Sequence, residues 1–386
     1  VTENEQYFHD VMKREGQNGR LDRSIVAPGV MSVFSHRERA ARKVFCEAEK
    51  LFPTMPPVHF DFVDTIHVGA WAFCHDQREQ YFVGYSFGTE LTLLLLFNRI
   101  LADSRLLRDI GNPESESDSL AMLAQIIGAS PTIDASLKVF PQCPEPKDST
   151  RRQFAGLMRE LVATFIVLHE AGHLSQGHIE YGRDHYRWAL LADPGYPSTR
   201  EEELLVRQTF EVYADHQAIS NGMHNIQSAI KNADRQNELL KPFVAPPHRL
   251  LHLWLFAIFT FCRLFGDRVP TKAELQKLVH PHWRFRQKMM MRAIGGYLAT
   301  TEEAAIFGTV GEVQELIHAV VEEVEIAVHL ITGDEMSVEG LLKTNEEEIS
   351  NHEDLLIGMW ENGGLREALR DYSHIPGVRR GTVASV

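Results

Sequence analysis

Cysteine is scarce. The 386 residues contain 4, at Cys46, Cys74, Cys143 and Cys262, with no CxxC pair among them, so no disulfide framework is readable. Long apolar runs are also missing. The most apolar one, residues 250–262 (LLHLWLFAIFTFC), is interrupted by His252 and is shorter than the roughly 20 residues a membrane span needs; it predicts a buried helix. The opening stretch VTENEQYFHDVMKREGQNGR is polar and holds no apolar signal core. Free thiols without such a core predict a reducing, cytoplasmic setting. Positive charge is in deficit, with Lys+Arg 39 against Asp+Glu 53 and a formal net charge of -14. That balance argues against nucleic acid and anionic membrane surfaces as partners. No internal repeat and no long low-complexity tract is present.

What remains is a large chain, 44% hydrophobic. At roughly 150 residues per domain it allows two or three domains or one large one, and it can bury a core without metal staples. The pattern predicts an α+β fold that is mostly helical. Residues 1–57 read as an amphipathic helical segment with a turn at Pro28-Gly29. Between 66 and 87 the apolar positions alternate with period two. Ile66, Val68, Ala70, Ala72 and Cys74 form one run, and Tyr81, Val83, Tyr85 and Phe87 the next, across the polar turn HDQREQ. This predicts an antiparallel hairpin. An apolar helix follows, with Thr89 as its cap. Residues 111–150 are loop-rich, and the Pro-containing stretch near 141–150 reads as a linker. Beyond it the expected helices cover 151–178, 200–221, 248–266, 271–296 and 310–331. The catalytic-sized unit is 58–295, followed by a helical region 296–370 and a frayed tail 371–386. The acids of 310–331, Glu312, Glu315, Glu322, Glu323 and Glu325, read as a solvated face.

Residues 161–181 read LVATFIVLHEAGHLSQGHIEY. Inside lies HEAGH. His169 and His173, at i and i+4, project from one helical face, so their imidazoles can take two corners of a tetrahedral zinc. Glu170 then stands beside the open position, where a carboxylate accepts a proton from the attacking water. The structural alternative is two histidines capping a core helix, with Glu170 paired to an Arg. A catalytic zinc needs a third protein ligand. Position 179 is Ile, and His178 follows too closely on the same helix to reach the metal. Downstream, EVYAD again places two acids at i and i+4, Glu211 and Asp215. One can bind zinc while the other takes the outer N–H of a ligating His. Alone, the pair also reads as an acidic surface continuing from Glu201, Glu202 and Glu203.

HExxH followed by ExxAD on a second helix resembles the gluzincin pattern of zinc metallopeptidases. HEAGHLSQGH looks like the HExGHxxxGH helix of the ImmA/IrrE-type peptidases and of the phage-exclusion Lit peptidases, and YFVGYSFGTELTLLLLF before it is loosely similar to the Lit arrangement. LVHPHWRFRQKMM, residues 278–290, resembles the HPxxxxR segment of HtpX-type gluzincins. The resemblance covers about residues 60–290. It implies a zincin-like core, Zn2+ held by His169, His173 and Glu211, Glu170 as general base, His280 stabilising the oxyanion, and Asp215 and Arg286 bracing the site. It also implies a protein or peptide substrate and a regulatory or phage-defence role. HtpX-type relatives are membrane proteins; this chain has no convincing span.

The gap of about 38 positions from His173 to Glu211 requires an insertion, YGRDHYRWALLADPGYPSTR. Its Tyr181, His185, Tyr186 and Trp188 form either a rim over the cleft or a surface loop. Its tyrosines and Tyr213 are further candidates for the oxyanion donor. His248 and His252, also at i and i+4, read as core or cap histidines, and His216 and His224 as incidental. A hairpin strand, 66–74 or 81–87, offers an edge to an extended substrate. Two rivals stay open: a non-catalytic zinc-containing sensor or regulator acting by protein binding, and a chain that binds no metal.

Overall fold

A computed structural model describes residues 1–26, 28–118, 144–190, 201–232, 241, 246–264, 275, 278, 280–333, 346–362 and 364–375. Calls that fall on 119–143, 191–200 or 376–386, including Cys143 and most of the insertion's second half, lie outside the described residues.

Most of the described chain is helical, with one small sheet. The expected hairpin is present as β2 (Ala70–Cys74) and β3 (Tyr81–Ser86), paired antiparallel with Ala70 opposite Tyr85. The sheet is mixed, however, not antiparallel throughout. A further strand, β1 (Val58–Val63), runs parallel to β3 with Val58 opposite Tyr81, giving the order β1-β3-β2. β2 starts at Ala70 rather than 66 because the preceding residues are tied elsewhere. The Thr65 carbonyl accepts from Gly88 N–H, and Gly69 N–H donates to Thr89 Oγ1 at 2.8 Å. The helix that follows, α3 (Phe87–Leu101), is capped by Ser86, not Thr89; Ser86 Oγ accepts from Thr89 N–H at 2.8 Å.

Both faces of the sheet are covered. Phe8, Val11 and Met12 of α1 (Glu3–Arg14) pack on Val63, Trp71, Phe73 and Phe82. The opposite face carries Phe60, Phe62, Ala72, Val83 and Tyr85 into the main core. There α2 (Pro28–Leu51) packs on β1.

β1 carries a buried acid, Asp61, 2% exposed. It pairs with Arg20 and with Arg23 Nη2 at 3.2 Å, and accepts the Phe62 N–H at 2.8 Å. Burial works to raise its pKa, but His59, Arg20 and the Phe62 amide outweigh it and hold the carboxyl at about 2. A depression from 3.8 to about 2 is worth about 2 kcal/mol at about 1.4 kcal/mol per unit. For an acid lowered on folding, that stability is present above the unfolded value and disappears as pH falls through the folded one. Asp61→Asn is therefore expected to lose about 2 kcal/mol at pH 7 and to flatten the stability profile between about pH 4 and 2. Urea titrations across that range check it; unchanged midpoints at pH 7 would contradict it.

The helical part is built around α4 (Ser149–Gln176), capped by Asp148, whose side chain accepts from Arg151 N–H. After the short α5 (His178–Tyr186) come α6 (Glu201–Lys231), α7 (His248–Arg263), α8 (Trp283–Thr300), α9 (Val310–Thr332), α10 (Glu346–Glu361) and α11 (Leu365–Ala368). α4 packs on α2, α3, α6 and α7, while α6 also packs on α8 and α10. One apolar core runs through these elements from Leu21 to Leu369.

α7 is the buried helix expected of the apolar run, and among the described residues no helix is long and apolar enough to cross a membrane. Of the expected helix 271–296, α8 is the part from Trp283 onward; residues 271–274, 276–277 and 279 lie outside the described residues. Pro281 precedes the start, and the His282 ring accepts from Arg284 N–H as its cap. The acids of α9 are not all solvated: Glu325 is buried and accepts from Arg263 Nε of α7 at 3.0 Å. Its neighbour Glu323 lies 2.9 Å from His252 Nε2. Of the C-terminal stretch, Tyr372, Ser373 and His374 lie against the end of α4, where His374 N–H donates to the Ser175 carbonyl at 2.8 Å.

Candidate metal centre

α4 carries His169, Glu170 and His173 on a stretch buried from Val167 to Gln176. α6 crosses it where both helices are slim. A Cβ on Gly172 would stand 3.2 Å from Ala214 Cα and 3.4 Å from its carbonyl oxygen, so the motif's glycine admits a close approach. Ala214 lies between Glu211 and Asp215 in sequence, and the crossing brings both acids over the histidine pair. Gln176 and Gln217 lock the helices together: Gln176 Nε2 donates to Gln217 Oε1 at 2.7 Å, and Gln217 Nε2 to Ser175 Oγ at 3.0 Å.

The three expected ligands meet. His169 Nε2 and His173 Nε2 are 3.0 Å apart, and Glu211 places Oε2 at 3.3 Å from the first and Oε1 at 3.4 Å from the second. Ligands about 2.05 Å from a tetrahedral ion are about 3.3 Å from one another, so both imidazoles and the carboxylate stand at separations at which they could share one ion. Among the described residues, this trio is the group of His, Cys, Asp or Glu donors close enough to hold a metal ion, and all three members are buried.

The surroundings prepare the donors. His169 Nδ1 lies 2.9 Å from Asp215 Oδ1, and Arg286 grips Asp215 with Nε and Nη2, each at 2.7 Å. Asp215 thus takes the outer N–H of His169 and leaves Nε2 with its lone pair toward the centre. Burial raises the Asp215 pKa, but Arg286 and His169 prevail and lower it. Arg286 neutralises Asp215, and Glu211 stays ionised although buried: burial raises its pKa, but His280, His169 and His173 hold it well below the usual carboxylate range. His169 takes a proton between the two acids. Burial would lower its pKa, but hydrogen bonds to Asp215 and Glu211 lift it to about 10. His173 goes the other way, to about 4, because burial dominates.

Glu170 is 3% exposed, and its Oε2 is buried with no hydrogen-bond partner. Burial pushes its carboxyl up to about 8. Among the described residues no Arg pairs with it by ion pair or hydrogen bond, so there the capping alternative lacks its Glu–Arg contact. His280, 29% exposed, sets Nδ1 3.2 Å from Glu211 Oε2, without hydrogen-bond alignment. It stands beside the triangle and is not one of its corners.

The other tyrosine candidates lie in packing clusters. The Tyr213 ring stacks on Trp360 of α10 at 3.6 Å; two residues past Glu211, it points to another side of α6. In the insertion, Tyr181 stacks on His185 at 4.1 Å and Tyr186 on Trp188 at 5.1 Å. Trp188 is buried under Arg207, 4.2 Å above its ring. These side chains bind the insertion to α6 instead of forming an open rim.

Two residues were missed by reading the sequence. His178 is not continuous with the motif helix. Gly177 ends α4 in the left-handed region at φ 79, and His178 opens α5 with Nδ1 3.0 Å from His173 Nδ1. Gln208, one turn before Glu211, donates from Nε2 to the carbonyls of Leu275 at 2.8 Å and Leu278 at 2.5 Å, just upstream of His280. Its Oε1 lies 2.6 Å from His352 Nε2 of α10. The signal available for Gln208 was an amide on the buried stripe of α6, three residues from the ligand. No protein-family model matches this chain, and neither does any curated protein or solved structure.

Proposed function

We propose that the chain is a zinc-dependent peptidase of the gluzincin kind, cytoplasmic, acting on a protein or peptide substrate. The observation that carries this reading is the buried triangle of His169, His173 and Glu211, with the buried carboxyl of Glu170, whose Oε2 has no hydrogen-bond partner among the described residues, next along the helix. Zinc held there would supply a Lewis acid that polarises a carbonyl and acidifies water. Glu170 accepts the proton at Oε2 and passes it to the leaving amine. Asp215 and Arg286 hold His169 in register. His280, beside Glu211, would donate to the developing oxyanion. β2, an edge of the sheet that packs on α4, is the strand an extended substrate would join in this zincin-like core.

The rival, a non-catalytic zinc-containing regulator acting by protein binding, calls for a metal fully enclosed by protein donors. Three donors and no fourth among the described residues favour the enzyme. The regulatory or phage-defence setting implied by the Lit resemblance is part of the same proposal.

Untagged protein is expected to hold close to one equivalent of zinc by elemental analysis, and to cleave an unfolded protein such as casein. Removal of the metal with a chelator should abolish cleavage, and stoichiometric zinc should restore it. Less than about a tenth of an equivalent in the purified protein would remove the metal reading. Full zinc without cleavage of any unfolded or peptide substrate would turn the assignment to the regulator.

A further inference from the structure

We propose that His178 is a positioning residue that fixes which nitrogen of His173 carries the proton, and that the Gly177 turn exists to deliver it. The inference rests on reading the triangle as a metal site, and it concerns the outer side of that triangle.

The two ligand histidines have unlike outer partners. His169 faces a carboxylate, Asp215, braced by Arg286. His173 faces a second imidazole, Nδ1 to Nδ1 at 3.0 Å. A histidine that gives Nε2 to a metal must carry its proton on Nδ1, and that N–H must donate. Here the acceptor is His178 Nδ1, so His178 must hold its own proton on Nε2. That atom is buried and has no hydrogen-bond partner, in a residue that is 0% exposed. An unpaired buried N–H is unfavourable, since it has given up water without a replacement. A merely structural histidine avoids that cost by placing its proton on Nδ1, which would leave His173 protonated on Nε2, toward Glu211 Oε1. The arrangement that would hold a metal therefore differs from that of a merely structural pair at both rings: the proton would stand on Nδ1 rather than Nε2 of His173, and on Nε2 rather than Nδ1 of His178.

The placement is built, not incidental. At φ 79, Gly177 turns the chain back, and a Cβ there would stand 2.5 Å from the Tyr372 carbonyl carbon. The His178 ring lies flat on Phe210, with centroids 4.0 Å apart and 1° between planes. Phe210 immediately precedes Glu211, so α6 supplies both the third ligand and the platform for His178.

The test measures zinc affinity of the full chain by competition with a chromophoric chelator, with nitrogen-15 NMR of the histidine rings beside it. His178→Phe keeps an aromatic ring on Phe210 but removes the acceptor, and is expected to weaken zinc binding about 10–100-fold. His178→Gln restores an acceptor oxygen and is expected to bind within about threefold of the original chain, the rescue predicted by an acceptor role. In the zinc-loaded original chain, His178 should be protonated on Nε2 and His173 on Nδ1. Should His178→Phe prove unfolded by circular dichroism, the NMR readout on the unaltered protein decides alone. Zinc binding by His178→Phe within threefold of the original, or a zinc-loaded His178 protonated on Nδ1, would overturn the proposal. An original chain that binds no zinc would overturn it together with the metal reading. Peptide cleavage enters neither readout, so loss of the peptidase assignment alone leaves this result standing.

Discussion

Glu170→Gln is expected to retain its zinc and lose about 10²–10⁴-fold in turnover, the range for removing a general base. The substitution keeps the side chain's shape and takes away its ability to accept a proton. Glu170 is outside the donor triangle, so metal content should stay near one equivalent. Stability should hold or rise, because a buried carboxylate with a partnerless oxygen gives way to a neutral amide. His173→Ala provides the contrast: it removes a corner of the triangle, and zinc and turnover should fall together. Parallel elemental analysis and steady-state kinetics separate the two patterns. A Glu170→Gln protein with turnover within threefold of the original would end the assignment of this residue as the base.

Arg286→Met is expected to cost about 3–5 kcal/mol of stability, the usual penalty for stripping a buried charge of its partner. Asp215 is 1% exposed and receives two hydrogen bonds from that guanidinium. Without Arg286 its remaining counterpart is the His169 ring. Asp215→Asn in the same chain should recover much of the loss, because an amide needs no opposite charge; a urea double-mutant cycle isolates the coupling. Zinc affinity should fall by about 10–100-fold in the single variant, since the group orienting His169 is no longer held. A stability change under about 1 kcal/mol would show that the pair is not the brace described here.

The metal triangle was legible because helical spacing turns sequence distance into direction. Four residues from His169 to His173, and four from Glu211 to Asp215, each mean one face. Bringing those faces together needed a tertiary fact, the crossing at Gly172 and Ala214, which spacing alone does not contain. His178 was lost for the opposite reason. Reading 151–178 as one periodic helix hid the reversal at Gly177, and a residue judged too close to ligate was not weighed as a partner to the ligand. β1 is harder to read although Val58, Phe60 and Phe62 alternate with His59 and Asp61, because the run is short and its partner β3 is parallel and distant in sequence. Glu325 looked solvated because periodicity on α9 does not reveal that Arg263 arrives from α7. The aromatic residues of the insertion read equally as rim or surface; those described, Tyr181 and Trp188 among them, pack against α6.

The slender contact between α4 and α6 has a consequence for the donor set. At that point the chain presents a hydrogen on one side and a methyl on the other, so the gap between two peptide backbones sets how far Glu211 stands from the histidine pair. A side chain larger than hydrogen at position 172 would wedge the helices apart and spread the three donors without altering any one of them.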